Sequence, residues 1–378
     1  MNAAGIIFSN IHDKNIADLT KKRTMASVPF GCRYRLVDFP LSNMVNSGIT
    51  DISIITHYNY LSLMEHIGSG KDWDLARRSG GVRILAPYIT AYANYKNELY
   101  NTRLEALMSI QHSISKMQAD YVVLSDCDGI CNIDLKDMVR AHVDSGAVLT
   151  MAVKRIPITP ANAEKNIIVS SDENGEITDL VVHPTFYDKT EADVNINVWV
   201  ISRSYLLGAL VNAQAHGYTS FSQDIIRRSI GRDRLRIYRF DGYYANIDSI
   251  TDYYDYSMEL IKNETVRHDL FNNPKRPILT KVRNSAPAQY TGSAKVSNSL
   301  IADGCIIEGT VENSILFRGV KVSKGSVVRN SILFMDTYVG ENVSLNCVIA
   351  DKYVLFHDDV SLSGHPELPF CVEKGRSL

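Results

Sequence analysis

From residue 1 to about 262, short apolar runs alternate with stretches of helical period, which predicts an α/β domain built on a largely parallel sheet. A first buried strand is expected over Gly5 to Phe8. "DISIITHY" (Asp51 to Tyr58) and "YVVLSD" (Tyr121 to Asp126) are nearly continuous in apolar residues, as strands covered on both faces are. Between them, "NELYNTRLEALMSIQHSISKM" sets Leu99, Leu104, Leu107, Ile110 and Ile114 at helical spacing and predicts one helix. Asn174-Gly175 between the extended runs of "NIIVSSDENGEITDLVVHP" predicts a hairpin, and "NINVWVIS" and "LRIYRFDGYYANID" supply late strands.

The pattern then changes. Pro274, Pro277 and Pro287 punctuate a basic polar stretch, and a linker is expected over 266–288. Beyond it no helical segment is predicted, and short apolar beats are separated by Gly, Asn, Asp and Ser. Ile301 and Ile307 lie six apart, as do Leu316, Val322, Val328 and Phe334, a beat that describes coils of a parallel β-helix with three short faces per turn. The beat slips between the two sets and again after Phe334. The expected organisation is an α/β domain over 1–265, the linker, and a β-helix over 289–378.

Composition narrows the partners. Across 378 residues, 40 Lys+Arg against 42 Asp+Glu leave a net charge of −2 with no long run of one sign, so neither nucleic acid nor an anionic membrane surface is expected as a partner. No apolar stretch approaches the roughly 20 residues of a membrane span, and the start lacks the basic-then-apolar order of a signal peptide, so a cytoplasmic protein is expected. The six cysteines are scattered, which predicts reduced thiols. The spacing of Cys127 and Cys131 does not suit zinc, and both are expected to be buried thiols.

The first strand runs into "IIFSNIHDKNIADLT", a loop in the position of a phosphate cradle that contains no glycine. Together with "VPFGCRYRLVDFPLSNMVNSGI" (Val28 to Ile49), "GSGKDWDLARRSGGVRILAPY" (Gly68 to Tyr88), "FSQDIIRR" (Phe221 to Arg228) and the trailing repeats, it resembles the bacterial glucose-1-phosphate adenylyltransferase (ADP-glucose pyrophosphorylase) family over essentially the whole chain. The resemblance implies a nucleotide-diphospho-sugar transferase domain of Rossmann-like type followed by a left-handed parallel β-helix. It also implies a reaction, ATP and glucose 1-phosphate giving ADP-glucose and pyrophosphate, that feeds glycogen synthesis. Attack on the α-phosphorus needs close backbone approach, cationic contacts and carboxylates for Mg²⁺, with in-line positioning.

Residue by residue, those elements are missing. The family's paired glycines fall on Asn10 and Ile11, its third glycine on Asp13, its loop Arg on Asn15 and its Lys on Met25. The first three obstruct or repel a triphosphate, and the last two remove cations. One metal carboxylate is retained as Asp128, a weak candidate beside Asp126 and Asp134. Its partner falls on the neutral Asn246, with Asp248 two residues on as a substitute. The Lys that grips the sugar phosphate falls on His183, too short to replace it. Gly-Thr-Ala-Asp near the nucleotide becomes Thr102-Arg103-Leu104-Glu105.

A dismantled site on a retained frame resembles the non-catalytic companion subunit of this enzyme in Gram-positive bacteria. That resemblance implies a cytoplasmic regulatory pseudoenzyme in a hetero-oligomer, expected to be a tetramer, with the catalytic subunit, and possible homo-oligomers. No cofactor and no metal are expected in this chain, the Mg²⁺ belonging to the catalytic partner. Arg33 and Arg35, with Arg77, Arg78 and Arg83, are candidate contacts for an anionic effector. Tyr243, Tyr244, Tyr253, Tyr254 and Tyr256 are expected either to line a vestigial sugar cleft or to pack in a core or a subunit interface. The alternatives are a slow genuine adenylyltransferase, a sugar-phosphate or nucleotide sensor, and an acyltransferase on the β-helix. For the last, only His357 and His365 are available, and both read as tail residues.

Overall fold

The computed structural model describes residues 2–86 and 100–378. Two compact units emerge. The first takes the residues up to Ile11, Phe39–Asn246 and Pro274–Leu279, and the second takes His12–Asp38, Ile247–Asn273 and Thr280–Leu378. The linear order of the sequence is therefore interleaved, two segments of the expected 1–265 domain belonging to the β-helix unit.

In the first unit, Gly81–Leu85, Asp51–Ile55, Ala3–Phe8 and Tyr121–Asp126 run side by side in parallel, with Ile6 opposite Ser53 on one side and Leu124 on the other. Ala4, Ile6, Ile7, Val122, Val123 and Leu124 are fully buried, as continuous apolar runs require. The long strand Glu191–Ser202 pairs antiparallel with Tyr121–Asp126 and also with Leu149–Pro157, breaking register between Asn195 and Trp199. The Asn-Gly hairpin forms between Ile167–Ser171 and Ile177–Val182, with Gly175 at φ +78°.

The single helix expected before the Tyr121 strand is two helices, Arg103–Ser109 and Gln111–Ser115, meeting at Ile110. Leu104, Leu107, Ile110 and Ile114 are buried as the spacing requires, and Leu99 lies outside the described residues. The Thr102 hydroxyl accepts from the Glu105 N–H while the Glu105 carboxylate accepts from the Thr102 N–H, so the helix opens on a capping box. Thr102→Ala is expected to cost about 1 kcal/mol of this unit's stability, read by chemical denaturation.

The expected linker begins as the end of a helix, Glu264–Phe271, and its next part is strapped to the first unit. There the side chains of Asn46 and Asn132 donate to the carbonyls of Pro277 and Arg276, and the Ser42 hydroxyl exchanges bonds with Leu279.

In the second unit the chain winds as a left-handed parallel β-helix with three sheets of five strands each. Gln289, Ile306, Lys321, Tyr338 and Leu355 stack along one sheet, 15 or 17 residues apart. Each coil thus falls one or three residues short of three full hexapeptides, which is why the apolar beat slips. Corners take left-handed backbone at Asn298, Asn313 and Asn330, and at Gly304 and Gly319, conformations that Asn and Gly adopt at least cost. Asn298 donates to Asn313, and Asn330 to Asn346, along the corner. Cys305, Ile307, Val311, Leu316, Val322, Val328, Leu333 and Phe356 fill the interior.

Candidate functional site

The loop after the first strand is filled by its own side chains. Asn10 is buried. Its amide donates to Nδ1 of His57 at 2.5 Å, and its carbonyl accepts from the Tyr100 hydroxyl at 3.0 Å. Nδ1 also accepts from the Tyr58 N–H at 2.9 Å, and burial pushes His57 down to about 4, so the ring is neutral at physiological pH. Ile11 packs on the hydrophobic core. Both positions therefore hold side chains where a phosphate cradle needs bare backbone.

At the end of the Tyr121–Asp126 strand, Arg103 donates from Nε and Nη2 to one oxygen of Asp126, at 2.8 Å from Nε. Its guanidinium also lies 5.4 Å from the centre of the Trp199 ring. Asp126 and Asp128 are both buried. Burial opposes the charge on Arg103, but Asp126 and then Asp128 outweigh it and raise its pKa overall. The register break in the Glu191–Ser202 strand puts Asn197 at φ +58°, and its amide donates to Asp128 at 3.1 Å. Asn246 stands opposite Gly129 in a two-stranded ribbon, one residue from Asp128. Asp134 serves a structural end: it caps the helix Leu135–Ser145 by accepting from the N–H groups of Lys136 and Asp137. An arginine and an amide each hold one of the two carboxylates, and the third position is neutral.

His183, on the exposed end of the hairpin, adopts a left-handed backbone and donates from Nδ1 to the Glu164 carbonyl at 3.0 Å. Arg77 pairs with Asp74 and Arg83 with Asp51, both exposed ion pairs of the ordinary surface kind, and Arg78 is exposed.

The second unit carries the remaining positions. Asp13 is buried, and its Oδ1 accepts from the Met25 N–H at 2.7 Å. Burial raises its pKa to about 7 against the lowering effects of that bond and of His12. The side chain of Asn15 donates to Asp248 at 2.5 Å, and Met25 is buried. Arg33 is exposed beside the Tyr34 ring, whereas Arg35 is buried. Arg23 makes a two-oxygen ion pair with Asp351, at 2.7 and 2.9 Å. Lys352 is brought down to about 7 by burial first and then by Arg35 and Arg23. Tyr253 and Tyr254 belong to packing: their hydroxyls donate to the carbonyls of Pro29 and Asn330, and the Tyr253 ring sits edge-on to Phe30 and Phe334. His357 bonds Ser377 and His365 accepts from Glu367, as tail residues would.

Comparison with known proteins decides the family. Residues 9–263 match the model of the nucleotidyl transferase family. Glucose-1-phosphate adenylyltransferase of Bacillus thuringiensis (strain Al Hakam) is 31% identical over 347 residues, 91% of this chain and 90% of that protein. The chain belongs to the glucose-1-phosphate adenylyltransferase family. The enzymes of that name from Thermosipho africanus (34% identical over 330 residues, 87% of this chain and 78% of that one) and Halalkalibacterium halodurans (33% over 327 residues, 86% and 83%) are also similar to it. Residues 285–367 match the C-terminal hexapeptide region described as GlmU-like. Among the described residues no helix is long and apolar enough to cross a membrane.

Relative to the family pattern, Arg103, Arg23 and Lys352 are the residues that sequence reasoning missed. Thr102-x-x-Glu105 is a capping-box signature, and it would have placed Arg103 in the first turn of a helix. No local signal pairs Arg23 with Asp351 across so long a stretch of chain.

Proposed function

We propose that this chain is a regulatory companion subunit of glucose-1-phosphate adenylyltransferase, with little or no turnover of its own. The observation that carries the reading is the closed triad Asn10, His57 and Tyr100, which fills the loop where family chemistry requires close backbone approach to the nucleotide. Losing one preorganised electrostatic contact costs roughly 10²–10³ in rate, and here the loop glycines, the loop cations and the carboxylate partner are absent together. Recruiting Asp248 as a substitute carboxylate would require breaking its bond to Asn15. The retained frame supplies surface for a hetero-oligomer with the catalytic subunit, expected to be a tetramer, and Mg²⁺ is supplied by that partner.

The effector part of the proposal falls on Arg33 and Arg35. Burial, then Arg35 and Arg23, bring Lys352 down to about 7, and an anion close to these groups relieves the repulsion among them. The test is ADP-glucose formation by this chain alone, by the catalytic homologue of the same organism alone, and by the mixture, each with and without sugar-phosphate effectors. A silent chain and a mixture more active than the homologue are expected. Turnover by the isolated chain at the homologue's rate would sink the reading.

A further inference from the structure

We propose that Arg103 is a built-in counter-ion that occupies the electrostatic place of a divalent cation at the Asp126–Asp128 strand end and excludes the metal from it. The inference goes beyond the regulatory reading, because it holds whether or not the chain meets a partner.

Three features fix the guanidinium there. The capping box of Thr102 and Glu105 sets Arg103 at the first helical position, so its backbone is held between two side-chain-to-backbone hydrogen bonds. The Trp199 ring, itself fully buried, lies beneath the guanidinium. Two N–H groups then converge on a single Asp126 oxygen. An arginine seated in this way has little freedom to swing aside, and its planar fork loses less entropy per bond than a lysine would.

The second carboxylate is held separately. Asn197 reaches Asp128 from a bulged, left-handed position that Asn195 braces, its side-chain amide donating to the Asn197 side-chain oxygen and its own oxygen accepting from the Asn197 N–H. A magnesium-like ion needs several oxygens converging with lone pairs directed at it in near-octahedral array. Here one oxygen of each carboxylate accepts N–H donors from the protein, and Asn246, next in the ribbon, brings no charge. A dication approaching this spot also meets a fixed positive charge at contact distance in a poorly screened environment. Removing the arginine charge should therefore expose a carboxylate pair that the fold has kept in place.

Mn²⁺ binding to the full chain, followed by electron paramagnetic resonance and water-proton relaxation, tests the idea. The wild type should show no Mn²⁺ site that depends on Asp126. Arg103→Gln keeps a stem and an N–H donor without the charge, and should gain one site at least ~10-fold tighter than any in the wild type. That site should vanish in Arg103→Gln combined with Asp126→Asn. Arg103→Lys, which keeps the charge, should behave as the wild type. Arg103→Thr serves as the charge-removing variant if circular dichroism shows the glutamine protein unfolded.

The proposal is overturned by a wild-type Mn²⁺ site that is lost on Asp126→Asn, or by a folded charge-removed variant that binds no better than the wild type. None of these readouts uses ADP-glucose formation, so failure here leaves the regulatory reading standing, and failure of the mixing experiment leaves Arg103 as argued.

Discussion

Arg23→Met is expected to destabilise the β-helix unit by about 3 kcal/mol, toward the lower end of what breaking a buried pair costs. The side chains of Arg23 and Asp351 are 2% and 5% exposed, so neither can be rehydrated in place. Removing the arginine leaves a buried carboxylate, and the loss is limited because the Lys352 N–H still donates to it and the Lys352 side chain lies close enough to share its charge. Asp351→Asn is the harsher change: it leaves Arg23, Arg35 and Lys352 together without the anion. That penalty should grow as pH falls below about 7, where Lys352 takes up its proton in the folded state. Replacing both partners with apolar residues should recover much of the loss, and a double-mutant cycle by chemical denaturation reads the coupling directly. An effect of Arg23→Met below about 1 kcal/mol would mean that the pair behaves like an exposed one.

What was legible in the sequence follows the range over which each physical signal acts. The Tyr121–Asp126 strand, the Asn-Gly hairpin and the hexapeptide beat are local patterns, and each appears at its expected residues. The helix before Tyr121 was legible in its buried face but not in its break at Ile110, because apolar spacing reports which side is covered and not whether the backbone runs on. The interleaving of the two units was not legible at all. It depends on pairings such as Arg23 with Asp351 and Tyr253 with Pro29, between segments that nothing local connects. Of the candidate site, the bulky side chains of Asn10 and Ile11 could be read from residue type. Their surroundings could not, since His57 and Tyr100 reach Asn10 from separate parts of the chain.

Asp13 makes the same replacement measurable through pH. Its folded-state pKa stands at about 7 against an ordinary 3.8, with burial as the main cause. A carboxyl raised in this way favours folding when protonated. The favourable contribution is fully present below the unfolded value near 3.8, declines as pH rises, and is gone once pH passes about 7. Above that, the unit carries a buried carboxylate with one hydrogen bond, from Met25, while Oδ2 has no hydrogen-bond partner among the described residues. Asp13→Asn keeps the acceptor for Met25 and removes the charge. Raising the carboxyl from 3.8 to about 7 corresponds to about 4 kcal/mol, of which roughly half should be recovered at pH 8, because the new amide N–H groups are themselves left without partners. Lys352 slopes the other way, since its folded pKa is depressed and stability rises from about pH 7 towards 10.5. The difference between wild type and Asp13→Asn cancels that term and isolates the aspartate. Denaturation midpoints taken from pH 4 to pH 8 should therefore diverge steadily in favour of the variant. Parallel profiles would show that Asp13 is ionised and well solvated, and that the loop has room for charge after all.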